Sequence, residues 1–488
     1  MRKKWKVVIL LLAVISLLGG CFGGEPALEE LDSEGKGKLK VLYYDEGSFY
    51  SDYGNNFNVK YPNIEFEVIN TGTIYQDMQE NGTSYEEEYL KFIEKHKPDV
   101  IMTGSDSFEK LAQEGKLYNL DTVIEQEKVN LDGYMPGLVD MLRERGGGSL
   151  YGLAPYFNAS VVYYNADLFR EHQIDPPRNK MSWKELLELS SRFAGIGSGD
   201  DQIYGLSDEF GQVEGMLFNV ANSSSLRVFD AKGEKITFNT DGWKEAMEVT
   251  AKAIRGKALY TASLEPEKEN TMYFLQTEQF FKGKVAMMFG SSWLMSDLRN
   301  RPKYDSGIEE INWDFVTAPV DPAAPEESAF TVLDSIYAIA ADSPNKRAAW
   351  EFVKFVNGPE MAKAASRSFR GQLPTRVDAM KEVDGKSTEA FYMLRPKASG
   401  GSVWGGSNVN LPDGFRMAFS NLIIKELKAM VENGKSAEEA VAVIETEGNA
   451  ALQQAREAAE MKREAAKHSG KDAGSAAQED KEGTAESE

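Results

Sequence analysis

The sequence predicts an α/β protein with more than one domain. Short apolar segments that read as strands alternate with apolar residues at helical spacing, which argues for a parallel or mixed sheet covered by helices. Ser-x-x-Glu capping signatures open two of the helical stretches. At 488 residues the chain also exceeds the roughly 100–200 that one domain commonly holds.

The chain begins with Arg2, Lys3, Lys4 and Lys6, then an apolar run over residues 7–18 that stops at Gly19 and Gly20. A membrane-spanning helix needs about 20 apolar residues, so this segment reads as a cleaved export signal. Cys21, directly after the two small residues, is the single cysteine of the chain. An intramolecular disulfide is therefore excluded, and stability must come from the core. Residues 22–36 are mostly small or acidic and read as a tether.

Residues 39–44, 64–69 and 99–102 read as strands. Between the second and third, Tyr85, Tyr89, Phe92 and Ile93 fall at helical spacing behind Ser84 and Glu87. A helix-rich region starts at Asn165, and Ser182 with Glu185 opens a helix carrying Leu186, Leu189 and Phe193. Ser343 as N-cap and Pro344 at the first helical position predict a helix through Val356. The last amphipathic stretch runs from Phe415 to about Lys467. Beyond it, Gly, Ser, Ala, Asp and Glu predict disorder. Trp183, Trp243 and Trp350 lie on apolar helical faces and are expected in the core.

Composition narrows the function. A hydrophobic share of 42% indicates a globular chain, while the formal charge of −22, which becomes −26 without the four basic residues of 1–20, excludes a nucleic-acid partner. With only three histidines, His96, His172 and His468, there is little material for a Ser-His-Asp triad or a His-rich zinc site. Carboxylates are abundant enough for an exported glycoside hydrolase to stand as an alternative, although abundance is not a constellation. A surface adhesin or sensor subunit is a third reading. No cofactor, metal or catalytic residue is assigned.

Four stretches in order carry a resemblance: Lys97-Pro98-Asp99-Val100 with Gly104-Ser105-Asp106; Tyr151-Gly152-Leu153-Ala154-Pro155-Tyr156 with Tyr163-Tyr164-Asn165; Phe281-Lys282-Gly283-Lys284 with Gly290-Ser291-Ser292-Trp293; and Ser343-Pro344-Asn345-Lys346 with Trp350-Glu351-Phe352. They resemble the family-1 extracellular solute-binding proteins, the group that includes maltose-binding protein. Residues 18–21 likewise resemble a lipobox, in which Cys21 is acylated and becomes the mature N-terminus.

The resemblance implies a two-lobe, type II periplasmic-binding-protein fold. Each lobe is a mixed sheet flanked by helices, and the hinge is crossed more than once. The expected division is a signal peptide (1–20), a lipid-anchored tether (21–36), an N-terminal lobe (37–156 and 336–390), a C-terminal lobe (157–335 and 391–465) and a disordered acidic tail (466–488). Gly146, Gly147 and Gly148 are expected to loosen the backbone near the first crossing. The implied function is capture of a carbohydrate for ABC-transporter permease subunits, by a monomer anchored at Cys21 to the outer face of the cytoplasmic membrane.

A sugar site needs aromatic platforms for CH faces and fixed polar partners for hydroxyls. Trp293, emerging from an apparent buried strand, is the leading platform, with a packing role as its alternative. Asp106 follows the third strand, where either it or Ser105 would also serve as a helix N-cap. Asn158 stands where maltose-binding protein has a ligand-contacting acid. Of Tyr156 and Phe157, one is expected to face the cleft and the other the lobe interior. Tyr44, Asp45 and Glu46 lie beyond the carboxyl end of the first strand, where open α/β sheets bind ligands. Trp404 in a glycine-rich loop, with a locally buried loop anchor as its alternative, and Gln372 complete the candidates, with Arg370 beside Gln372 expected mainly in a surface ion pair.

Overall fold

The computed structural model describes residues 28–482 except 32–33, 82, 212, 262–271, 368, 370, 398–401, 406–408, 410 and 413; side chains are described to 461, apart from 272–276. The export signal, Cys21 and Arg370 lie outside the described residues.

In chain order the strands that build the two main sheets are β1 (Gly37–Tyr43), β2 (Ile64–Asn70), β3 (Val100–Thr103), β4 (Gly152–Leu153), β5 (Tyr156–Asn165), β6 (Tyr204–Asp208), β7 (Val285–Ser291) and β8 (Trp313–Thr317). They continue with β9 (Glu327–Ser328), which lies outside both sheets, then β10 (Thr331–Val332), β11 (Ile336–Ile339) and β12 (Leu373–Pro374). The first sheet has the order β2-β1-β3-β11-β4. Its β1, β2 and β3 are mutually parallel, and β11 returns antiparallel to β3 and β4. The second has the order β10-β5-β7-β6, with β8 and β12 also paired to β5. The result is two mixed sheets covered by helices.

Connections between the sheets run through 154–156, 333–335 and 371–375. The first and third are tied together, since Thr375 donates from its backbone N to the Pro155 carbonyl at 2.9 Å and from Oγ1 to the Ala154 carbonyl at 2.7 Å. The Gly146-Gly147-Gly148 run lies elsewhere. It ends the helix Leu138–Arg145, with Gly148 donating to the Arg143 carbonyl at 2.8 Å, and Gly147 and Gly148 take positive φ values of 67° and 104°. Glycine serves there as a helix stop ahead of the first crossing.

The core divides by sheet face more than by lobe. One apolar cluster holds Leu39 and Val41 of the first sheet with Phe49, Phe57, Trp350 and Phe352 of helices packed on it, and continues to Phe157, Val161 and Tyr163 of β5. The other, on the opposite face of the second sheet, holds Val162, Trp183, Phe238, Trp243 and Phe419. Trp183, Trp243 and Trp350 are buried, as their helical spacing predicts.

Buried Asp99 explains why two of the recognised motifs occur together. Its carboxylate accepts from the Lys40 backbone N at 2.9 Å, from Ser343 Oγ at 2.6 Å and from Asn345 Nδ2 at 3.2 Å. Hydrogen bonds to a charged group are worth about 1.5–3 kcal/mol each, so this residue pins the returning chain to β1 and β3. Ser343 Oγ also accepts from the Asn345 backbone N at 3.0 Å, so the same hydroxyl closes the turn that opens the helix. The helix starts at Lys346 behind Asn345, later than the Ser-Pro pattern predicts.

Two terminal expectations change. Leu28 is buried in the first cluster and Glu30 reaches Arg347 at 3.8 Å, so these two residues of the expected tether lie on the first lobe. The final helix, Ala437–Glu482, continues through most of the segment expected to be disordered. Its Ala, Glu, Lys and Gln content favours helix even without an apolar face, a propensity that the composition argument left out.

Candidate ligand cleft

Strand direction assembles the site. Parallel β1, β2 and β3 end at Tyr43, Asn70 and Thr103, and β11 begins at Ile336 opposite Thr103. Tyr44, Asp45, Glu46, Ser105, Asp106, Asp334 and Ser335 therefore gather at one edge, beyond the carboxyl ends of the strands. In the second sheet β6 and β7 are parallel and end at Asp208 and Ser291, while antiparallel β5 begins at Tyr156. Asn158, Glu209, Phe210, Ser292 and Trp293 gather there. Since the crossings join these two edges, they face each other across the hinge.

Direct contacts close the hinge side of this cleft. Asn158 Nδ2 donates to the Asp334 carboxylate, and Asn158 Oδ1 lies 3.5 Å from Ser292 Oγ. Ser292 Oγ also donates to the Gly371 carbonyl at 2.5 Å. Gly371, at φ +108°, lies flat on the Trp293 ring, and a Cβ there would stand 2.3 Å from a ring carbon. The indole is supported from one side and 46% exposed on the other.

Behind Trp293, the Ser291 backbone N donates to Glu209 at 2.6 Å and Ser291 Oγ does so at 3.2 Å. Asp208 accepts from Phe210 N at 3.0 Å and from Asn219 Nδ2 at 2.8 Å. Burial dominates both carboxyls, raising Asp208 to about 6 and Glu209 to about 7 against the hydrogen bonds that favour their charged forms. Burial also raises Asp334, and Asn158 opposes it.

On the facing edge, Tyr44 is 54% exposed and Glu46 is exposed. Asp45 caps the short helix Glu46–Phe49, accepting from Ser48 N at 2.8 Å and Ser48 Oγ at 2.7 Å, and these bonds hold its carboxyl below the usual range. A cavity of about 310 Å³ joins Tyr44, Asp52, Tyr156, Tyr337 and Gln372. Tyr156 lines it, while its neighbour Phe157 is buried against Tyr392.

Asp106 is not the helix cap. Gly104 holds that position, and Asp106 instead lies 3.6 Å from Arg145, which also meets Glu109 at 3.5 Å. Trp404 is not brought to this cleft. Its ring packs on Phe218, Phe229 and Phe419 at 5.4, 6.4 and 5.8 Å, with Arg416 over it at 5.2 Å. The ring thus packs on the second core, the anchoring alternative of the sequence reading in place of the cleft role.

Glu209, Phe210, Ser292 and Asp334 were not anticipated. The strand Tyr204–Asp208 would have pointed to the first two, because its carboxyl end falls directly before them. A larger cavity of about 690 Å³, lined by Tyr134, Asn357 and Arg376 among others, lies on the first lobe and shares no residue with the smaller one. We place the site where the strand ends converge. Among the described residues, no group of three or more His, Cys, Asp or Glu is positioned for a metal ion.

The Glu209 shift fixes a sign. Its folded value of about 7 lies above the ordinary 4.5, so the folded state binds the proton more tightly and stability falls as pH rises between those values. Asp208 acts likewise in a lower window, ending near 6. From about pH 6 to 7.5, wild type should therefore lose melting temperature, and Glu209→Gln should lose less over the same interval. Parallel curves for the two proteins would contradict the assignment.

A family profile described as Bacterial extracellular solute-binding protein matches residues 43–363, more than half of the chain. Over 290 residues the chain is 23% identical to the sn-glycerol-3-phosphate-binding periplasmic protein UgpB of Yersinia enterocolitica, a stretch covering 57% of this chain and 60% of that relative. A sugar transporter structure from Rhizobium etli, in an open conformation, matches with a TM-score of 0.59 at 20% identity, over 85% of this chain and 99% of that one. The sugar-binding protein MalE of Xanthomonas citri gives 0.58 at 19% identity, over 86% and 98%. At these identities the structures show a shared two-lobe fold, and the profile shows the family: this chain is a bacterial extracellular solute-binding protein.

Proposed function

We propose that the protein captures a neutral sugar or oligosaccharide between its lobes and delivers it to the permease subunits of an ABC importer. The observation that carries this reading is the half-exposed Trp293 ring, backed by Gly371 and flanked by Asn158, Ser292 and Asp334. An aromatic face beside amide, hydroxyl and carboxylate groups is the chemistry a pyranose requires. No covalent step is needed.

Charge argues for a neutral ligand. Asp45, Glu46, Asp52, Asp106 and Asp334 stand at or beside the cleft edges, whereas Arg145 is already held by Asp106 and Glu109. A phosphate ester, as in the name of the Yersinia relative, requires clustered cations or free backbone donors. This acidic surface disfavours it.

Membrane attachment is proposed through acylated Cys21, on the lipobox resemblance. Among the described residues, no helix is long and apolar enough to cross a membrane. Palmitate labelling should mark wild type and be lost in Cys21→Ala; equal labelling of both would remove the anchor from the account.

A thermal-shift screen of neutral sugars, sugar phosphates, peptides and polyamines tests the ligand class. A neutral sugar should raise the melting temperature, because a ligand that binds only the folded protein stabilises it by mass action. Trp293→Ala should weaken that sugar about tenfold, from lost stacking and area together. If only phosphates, peptides or polyamines shift the curve, the carbohydrate reading fails; appearance of cleaved sugar would favour a hydrolase.

A further inference from the structure

We propose that Tyr44, Tyr75 and Tyr85 form a second aromatic platform on the lip of the first sheet, so that the ligand is a sugar chain of at least three rings. This rests on the carbohydrate reading and extends it beyond the Trp293 site. Exposure is the first support. Among the described residues, the large aromatic side chains left exposed are Tyr44, Tyr75, Tyr85, Phe210, Trp293 and Tyr304. Tyr44, Phe210 and Trp293 follow the ends of β1, β6 and β7, while Tyr75 and Tyr85 lie in the first turns of helices beside the first edge. Exposed aromatic surface costs solvation wherever it occurs, so its concentration along one path calls for an occupant.

Topology supplies the second support. The helix Tyr85–His96 leads back into β3, with Tyr89 donating its hydroxyl to the Met102 carbonyl at 2.7 Å near the strand's end. Tyr85, one turn earlier, therefore stands at the cleft edge, and its ring lies over Tyr89 at 5.9 Å and 15°. Tyr75, in the first turn of the helix Ile74–Asn81 that follows the end of β2, meets Tyr85 at 5.0 Å. Burial and then the neighbouring Tyr75 and Tyr44 raise the Tyr85 phenol, consistent with the three rings sharing one surface.

Continuity supplies the third. Trp293 rests on Gly371, the next residue Gln372 lines the same cavity as Tyr44, and Tyr44 follows Tyr43, the partner of Asn70 at the end of β2, beside the turn that leads to Tyr75 and through it to Tyr85. One ring bound at Trp293 would leave this tyrosine lip empty. A chain following the cavity wall would stack on both ends. Tyr75 and Tyr85 are 61% and 37% exposed, so a purely structural role accounts for only part of their surface.

Calorimetric titration with gluco-, galacto-, manno- and xylo-configured sugars of one to five rings tests this directly. The tightest ligand should have three or more rings. Tyr75→Ala should weaken it about fivefold while leaving the monosaccharide and disaccharide of that series unchanged, and Tyr75→Phe should retain wild-type affinity. A monosaccharide or disaccharide as the tightest ligand would overturn the extended platform, as would an equal Tyr75→Ala loss at every length or no loss at any length. Absence of binding by every sugar would instead remove the carbohydrate reading on which the proposal rests.

Discussion

The cleft depends on the backbone pairing of one strand. β5 begins at Tyr156, directly after the first crossing, and over its length pairs with β12, β10, β7 and β8. Its alternation then serves two cores, with Phe157, Ala159, Val161 and Tyr163 in one cluster and Val162 in the other. A shift of one residue would exchange those faces and move Asn158 away from Asp334 and Ser292. The position of the polar hinge-side groups is thus set by hydrophobic register.

Electrostatics shapes what such a cleft accepts. Glu209 is buried, yet it holds the backbone of Ser291 directly before the residues that present Trp293. Its raised pKa reflects desolvation outweighing those hydrogen bonds. An anionic ligand would add charge beside groups already resisting ionisation. Neutral hydroxyls would be met by carboxylate and amide acceptors, while aromatic faces take the apolar side of the ring. The same balance links ligand class to fold: Asp334, which meets Asn158, precedes β11, so a cleft group and a core strand share one short segment.

Much of this was legible in the sequence where local chemistry decides structure. Helical spacing identified the buried tryptophans, Ser182 and Glu185 form the capping box read from their spacing, and strand-end logic selected Tyr44 and Asp45. What was missed required tertiary information. Ser343 reads as a cap, but its second bond, to buried Asp99 244 residues away in sequence, has no local signal. Trp404 reads as either a cleft ring or a buried loop anchor until Phe218 and Phe419 are placed around it. Tyr85 reads as part of a core face because periodicity does not say which end of a helix emerges at a cleft. Glu209 and Asp334 carry no motif at all: the pairing of β6 with β7 brings Glu209 to Ser291, and the crossing before β11 brings Asp334 to Asn158.

The central claim is that ligand bridges two edges and draws the lobes together. Only a ligand that binds the closed form better can shift that equilibrium. Small-angle scattering of the mature protein, with and without the sugar that most raises its melting temperature, measures this most directly. The account predicts a smaller radius of gyration at saturation, with the change diminished when Trp293→Ala is titrated at the same sugar concentration. An unchanged radius at proven saturation would contradict closure and leave a rigid binding surface in its place.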